Sequence, residues 1–318
     1  MTEFLVGSFS VGFQFPSIFQ RLRVLRCACA FFAALLIVTQ FARATDSSVV
    51  AQGATLEKLG EGYSFTDGPA ADKDGNVYFT DNPNNRIVKW SAANGTFADW
   101  LKPAGAAVGT YFDKDGNLIV ASTEKGELWS IAPDKTSTVL VANFEGKVLN
   151  GPNDIWIRPD GGIYFTDPEL YASRDPSTRV DIQGVYFLTP DHKTVKRVAT
   201  DFLKPGGIIG TPDGKVLYVA DFIVDKTYAY DIGLGGELTN KRLFCNLNAR
   251  GMTIDANGNL YLARFGVTVF DKTGKQMEHI DTPEKATNLT FGGKGNDLLF
   301  IAAAGSIYGL KMRVKGAN

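Results

Sequence analysis

Asn150-Gly-Pro-Asn-Asp-Ile-Trp-Ile-Arg-Pro-Asp-Gly-Gly-Ile-Tyr-Phe-Thr-Asp167 opens on a polar entry, Pro152, Asn153 and Asp154, and continues as an alternating run through Ile155 and Ile157. A Pro-Asp-Gly turn follows, then a second alternating run through Ile163 and Phe165 that stops at Asp167. Alternation argues strand, and a glycine turn between two alternating runs argues a hairpin. The same hairpin recurs as Asp74-Gly-Asn-Val-Tyr-Phe-Thr-Asp81, Asp115-Gly-Asn-Leu-Ile-Val120, Asp213-Gly-Lys-Val-Leu-Tyr-Val-Ala-Asp221 and Asn257-Gly-Asn-Leu-Tyr-Leu-Ala263. A sixth copy, Phe291 to Ile301, carries one extra residue in its turn. The turn glycines at 75, 116, 161, 214, 258 and 295 are spaced by 41, 45, 53, 44 and 37 residues. That interval fits about four short strands per unit, the mark of a β-propeller. The expected fold is all-β, a six-bladed β-propeller. An open β-sandwich is the alternative, and the missing Gly-His…Trp-Asp pattern argues against the WD40 type.

The longest interval contains an insertion from Pro168 to Arg179, a candidate binding loop on a rigid scaffold. Thr55-Leu-Glu-Lys-Leu59 is expected to supply the outer strand that closes the ring, and Gly305 to Val314 the last strands. Residues 1–44 read as a signal peptide: Arg21, Arg23 and Arg26 precede the apolar run Ala28 to Val38, then Ala42-Arg-Ala44 offers a cleavage site. The run is short for a membrane span. The expectation is export, periplasmic or extracellular, of a single propeller domain over 45–318; an uncleaved anchor is the alternative. Cys27 and Cys29 would leave with the leader, so Cys245 remains alone and reads as a buried strand residue. With 33 basic and 34 acidic residues the chain has no nucleic-acid footprint, and no basic cluster for an anionic membrane follows residue 50. A monomer acting on a small molecule is expected.

Counting back eight residues from the turn glycines reaches Asp67, Val108, Asn153, Gly206 and Arg250; allowing for the inserted residue, the sixth position is Asn288. Innermost strands line a propeller's channel, so these six should ring its mouth. Asp81, Asp167 and Asp221 each end a second strand, with Arg86 and Lys226 following the first and third; they read as structural hydrogen-bond acceptors. The Asp-x-Asp-Gly-Asn runs at 72–76 and 113–117 lack the downstream Glu and helices of a calcium loop and read as turns. His192 and His279 are the only histidines, and no Gly-x-Ser-x-Gly or His-Glu-x-x-His pattern supports a serine triad or zinc protease.

Phe65-Thr-Asp-Gly-Pro69, Pro152-Asn-Asp154, Pro205-Gly-Gly207, Arg250-Gly-Met-Thr-Ile-Asp255 and Thr287-Asn-Leu-Thr-Phe-Gly-Gly293 resemble the senescence marker protein/gluconolactonase family, over roughly 55–315. The resemblance implies a six-bladed propeller that holds a divalent cation, usually calcium, at the channel mouth and hydrolyses sugar lactones or related cyclic esters. It places metal ligands at Asp67, Gly206 and Arg250, and a metal or substrate contact at Asn153. Asp67 keeps a carboxylate where the family has Glu. Gly206 removes an oxygen ligand, and Arg250 puts a fixed cation where the family has Asp.

Calcium takes about six to eight oxygens, and a guanidinium ~4 Å away opposes it by several kcal/mol. The implied metal set is thereby reduced to Asp67 and Asn153, and the divalent cation is placed in doubt. Arg250 is expected to reach into the ring and pair with Asp67; the alternative is that it turns out to the rim and a weakened metal site survives. In that arrangement Arg250 polarises a carbonyl, with Asp67 or Asp154 as general base, and Asn153, Arg250 and Asn288 hold substrate. Asp154 as a turn cap is the alternative. Lactone hydrolysis is the leading expectation; a non-catalytic propeller binding an acidic or sugar ligand, or a protein, is its rival.

Overall fold

A computed structural model describes residues 47–170 and 175–317. The leader and its Ala44/Thr45 cleavage point, and part of the 168–179 insertion, lie outside the described residues. In the described residues the alternating runs form six four-stranded antiparallel sheets, the blades of a propeller. Blade 1 runs Thr66–Ala71, Val77–Asp81, Arg86–Trp90, Phe97–Leu101. The inner strands of the next four blades are Ala107–Phe112, Ile155–Ile157, Pro205–Gly210 and Met252–Ile254. Blade 6 takes Ala286–Gly292, Leu298–Ala303 and Ser306–Lys311 from the C-terminal end and its outer strand, Glu57–Glu61, from the other end of the chain. Glu57 opposes Gly309 and Glu61 opposes Ser306. The closing strand therefore sits two residues later than Thr55.

Second strands are apolar on both faces because each blade is packed between neighbours: Val77–Asp81, Leu118–Ser122 and Ile163–Asp167 are buried throughout. Outer strands meet solvent on one side and read as half-exposed, as in Phe97–Leu101. Phe79, Phe165, Tyr186 and Tyr261 are fully buried between blades, each contributing roughly 2–3 kcal/mol of transfer free energy. Phe165 stacks on Tyr186 with ring centroids 5.3 Å apart.

Hairpin chemistry is as the turn sequences imply. Asp72 Oδ1 accepts from the backbone N–H groups of Asp74 and Asn76, both at 2.9 Å. Asp113 does the same for Asp115 and Asn117. These carboxylates hold turns. At the other end of the blades, Asp81 accepts from the N–H groups of Ser64 and Phe65 (3.0 and 3.2 Å), and Asp167 from Asn150 and Gly151 (2.9 and 2.8 Å). Asp221 accepts from Leu203 and Lys204 (2.8 and 3.1 Å). Each ties the chain entering a blade to that blade's second strand, which fixes the backbone just before the channel positions. Cys245 is buried, as its strand context suggests.

Candidate functional site at the channel mouth

A propeller's inner strands begin on one face, here called the entry face, which also carries the turns between second and third strands. At the expected ring positions the inner strands break register with their partners. The breaks fall between Asp67 and Ala70, Ala107 and Thr110, Pro205 and Ile208, and Ala286 and Asn288. In blades 3 and 5 the regular strand starts only at Ile155 and Met252, beyond Asn153 and Arg250. A bulge re-aims side chains away from the sheet, so the ring residues are freed from ladder geometry at one common level.

Close approach of neighbouring blades at this level requires glycine. Gly68 has φ +44, and a Cβ there would overlap the Val108 carbonyl oxygen; a Cβ on Gly251 would overlap the Asn288 amide.

The structure brings Asp67, Asp154 and Asn288 together. Asn288 Nδ2 donates to Asp67 Oδ1 at 3.1 Å, and Asp67 Oδ1 also accepts from the Gly68 N–H at 2.8 Å. Asn288 Oδ1 accepts from the Leu289 N–H at 2.8 Å. Asp154 reaches beyond its own turn: its Oδ2 accepts from the Ile208 N–H at 3.1 Å, joining blade 3 to blade 4. Asn153, buried beside it, uses its carbonyl to accept from the Gly109 N–H at 2.7 Å. Val108 contributes its carbonyl, accepting from Thr80 Oγ1 at 3.0 Å.

Asp67 and Asp154 are only 3% and 6% exposed. Burial raises the Asp154 carboxyl to about 8, with the Asp67 charge adding to the rise and the Ile208 N–H opposing it. Burial also raises Asp67, offset by the Arg250 charge and by the Gly68 and Asn288 hydrogen bonds. Asp154 and Asn288 reach the inner end of a cavity of about 430 Å³ that opens on the opposite face, among the first hairpin turns.

Arg250 does not form the direct ion pair expected with Asp67. Its guanidinium stays exposed at the entry face, 5.2 Å from the Phe65 ring centroid and 5.8 Å from that of Phe222, and among the described residues it has no ion-pair partner. The physical reason is desolvation: drawing the guanidinium down to a buried carboxylate strips its water, whereas two ring faces attract it at the rim. Its charge acts on Asp67 from there. Phe222 also covers Gly206, since a Cβ at 206 would fall on the Phe222 ring. Sequence reasoning missed both phenylalanines. Phe65 lies two residues before a ring position, and Phe222 directly follows a blade-tying aspartate, Asp221.

The pattern described as the SMP-30/Gluconolactonase/LRE-like region matches residues 65–305. The chain belongs to this family. It is 27% identical over 313 residues to the gluconolactonase of Zymomonas mobilis, covering 88% of this chain and 87% of that protein. It is 26% identical over 265 residues to the diisopropyl-fluorophosphatase of Loligo vulgaris, covering 74% of this chain and 84% of that protein. The solved structure of a Xanthomonas campestris gluconolactonase superposes with a TM-score of 0.76 at 28% identity, covering 83% of this chain and 91% of that one. Hydrolysis is thus the family-level chemistry.

The family's divalent cation does not fit the residues at this mouth. Two of the implied ligand positions are Gly206, sealed by Phe222, and Arg250, a cation. Asp67 Oδ1 already accepts from the Gly68 N–H and from Asn288 Nδ2, and Asn288 Oδ1 from the Leu289 N–H. Among the described residues no group of three or more His, Cys, Asp or Glu side chains is placed to hold a metal. Too few free oxygens converge for a cation that wants six to eight.

Proposed function

We propose that the protein hydrolyses a lactone or related cyclic ester at the entry-face mouth, with Arg250 in the electrostatic role that a divalent cation plays in its relatives. The observation that carries this reading is a guanidinium with no acidic partner among the described residues, held between Phe65 and Phe222 and acting by its charge on the buried, Asn288-bonded Asp67. The family assignment supplies the reaction class.

In this reading Arg250 N–H groups donate to the carbonyl oxygen, where negative charge develops as water adds. Asp67 takes a proton from the attacking water. The bond from the water oxygen to the acyl carbon forms and the ring C–O bond breaks. The proton held by Asp67 passes to the departing alkoxide oxygen. The product is a hydroxycarboxylate facing Arg250, its acid proton released to solvent. Asn288 orients Asp67, while Asn153 and Asp154 line the same level of the channel.

The test is a lactone panel, glucono-δ-lactone and aliphatic γ-lactones, assayed by proton release on chelator-treated full-length chain. Turnover that is unchanged by chelator and falls about 100-fold or more in Arg250→Met and in Asp67→Asn is expected. No turnover of any lactone by the wild type, or turnover that requires added metal, refutes it. The near-complete burial of Asp67 favours the second reading, a binding protein without turnover, and this assay separates the two.

A further inference from the structure

We infer that the ligand of the entry-face site is an amphiphilic carboxylate or its lactone, with an aliphatic chain, rather than a polyhydroxylated sugar ring. The inference deepens the proposed function and rests on it for the lactone, but not for the carboxylate. Six of the ten large hydrophobic side chains exposed among the described residues, Leu170, Ile182, Leu203, Ile223, Val224 and Phe265, stand on connections of the entry face in blades 3 to 5. Leu203, Ile223 and Phe265 are the most open, at 58%, 62% and 59%. Single exposed apolar residues are ordinary; a run of them on one face is not.

The run is held as one surface. Gln183 Nε2 donates to the Leu203 carbonyl at 2.9 Å. The Leu203 and Ile223 N–H groups both donate to the Asp221 carboxylate, at 2.8 and 3.1 Å. Asp225 accepts from the Asn248 N–H at 3.0 Å and pairs with Arg264, which links blade 4 to the turn bearing Phe265. Asp221 and Asp225 are thereby consumed by backbone and arginine while Leu203 and Ile223 face solvent; the Phe265 ring at the outer end carries Arg264 and Lys285 over its face, 5.1 and 4.7 Å from its centroid. At the inner end of the arc Phe222, adjacent to Ile223, holds the Arg250 guanidinium. A fixed positive charge inside and an apolar path leading away from it match a carboxylate head with an alkyl tail.

The test pairs binding with turnover on the full chain. Butanoate, hexanoate, octanoate and decanoate are titrated calorimetrically, and γ-lactones of matching length are assayed beside glucono-δ-lactone. Affinity is expected to rise about three- to fourfold per methylene. Ile223→Asp and Leu203→Asp should lower octanoate affinity at least tenfold and leave butanoate unchanged, with Arg250→Met abolishing both. Both aspartate variants change exposed side chains, so an unaltered melting temperature shows that they fold. Chain-length-independent binding, or octanoate binding that survives Ile223→Asp, overturns the inference. Turnover of glucono-δ-lactone without chain preference also overturns it while leaving the hydrolase reading intact. Graded carboxylate binding with no lactone turned over does the reverse. Adsorption to phosphatidylcholine vesicles that persists in Arg250→Met would assign the arc to a membrane and overturn the inference as well.

Discussion

Replacing Asp154 by Asn should stabilise the protein, and the gain should grow with pH. In the folded state burial holds this carboxyl at about 8, against an ordinary value of 3.8. Below the ordinary value both states carry the proton and the substitution is nearly neutral. Between the two values the unfolded chain has released its proton and the folded chain has not, so folding must take one up. Wild-type stability therefore falls as pH rises through this window, and the loss is complete once the folded carboxyl also ionises. Each pH unit is worth about 1.4 kcal/mol, so the gap reaches roughly 6 kcal/mol at its ceiling. At roughly 2–4 °C per kcal/mol for a domain near this size, the melting curves of variant and wild type should separate by several degrees per pH unit between about pH 4 and 8. The Asn carbonyl can still accept from the Ile208 N–H that Asp154 Oδ2 engages at 3.1 Å. Differential scanning calorimetry in chelator at half-unit pH steps is the assay. Parallel curves, with the same offset at every pH, would refute the reasoning: Asp154 would then be ionised in the folded protein and its burial compensated by a cation.

Gly206→Asn with Arg250→Asp, which restores the family's ligands, should still show no calcium-dependent rise in melting temperature, because the Phe222 ring occupies the space at 206. Adding Phe222→Ala should allow one, about 2.7 kcal/mol of stabilisation at a hundredfold excess over Kd. Gly68→Ala should destabilise by roughly 3 kcal/mol or more in denaturant titration, since φ is +44 and a methyl would overlap the Val108 carbonyl. Asp167→Ala leaves the Asn150 and Gly151 N–H groups without the carboxylate they donate to; a loss of roughly 2–4 kcal/mol is expected in the same titration. Export with cleavage after Ala44 is proposed, and intact-mass measurement of the exported chain should give a first residue of Thr45.

The blade count and the level of the ring were legible because they rest on period-two alternation and on turn glycines, both local properties of the chain. The roles of Asp72, Asp113, Asp81, Asp167 and Asp221 were legible for the same reason, since each acts within its own blade. Less legible were the partners that side chains find beyond the local pattern. Asp154 read as a turn cap or a base, yet its partner Ile208 belongs to the next sheet. Arg250 was expected to sink onto Asp67, and the competing attraction comes from Phe65 and Phe222, 185 and 28 residues earlier in the chain (250 − 65 and 250 − 222). Within blade 4 itself, nothing in a linear pattern reveals that the Phe222 ring covers Gly206.

The joining of Glu57–Glu61 to Ser306–Lys311 has a consequence for the order in which the molecule can be completed. Glu57–Glu61 precedes the other described strands yet pairs last: it must wait, unpaired, while five blades are synthesised and folded, because its partner Ser306–Lys311 follows them in the chain. Until then it is a bare edge, the kind of strand that recruits other chains. Glu57, Lys58 and Glu61 supply charge along its five residues, which guards the open end during that interval. Removal of either Glu57–Glu61 or Ser306–Lys311 would leave the ring unlatched.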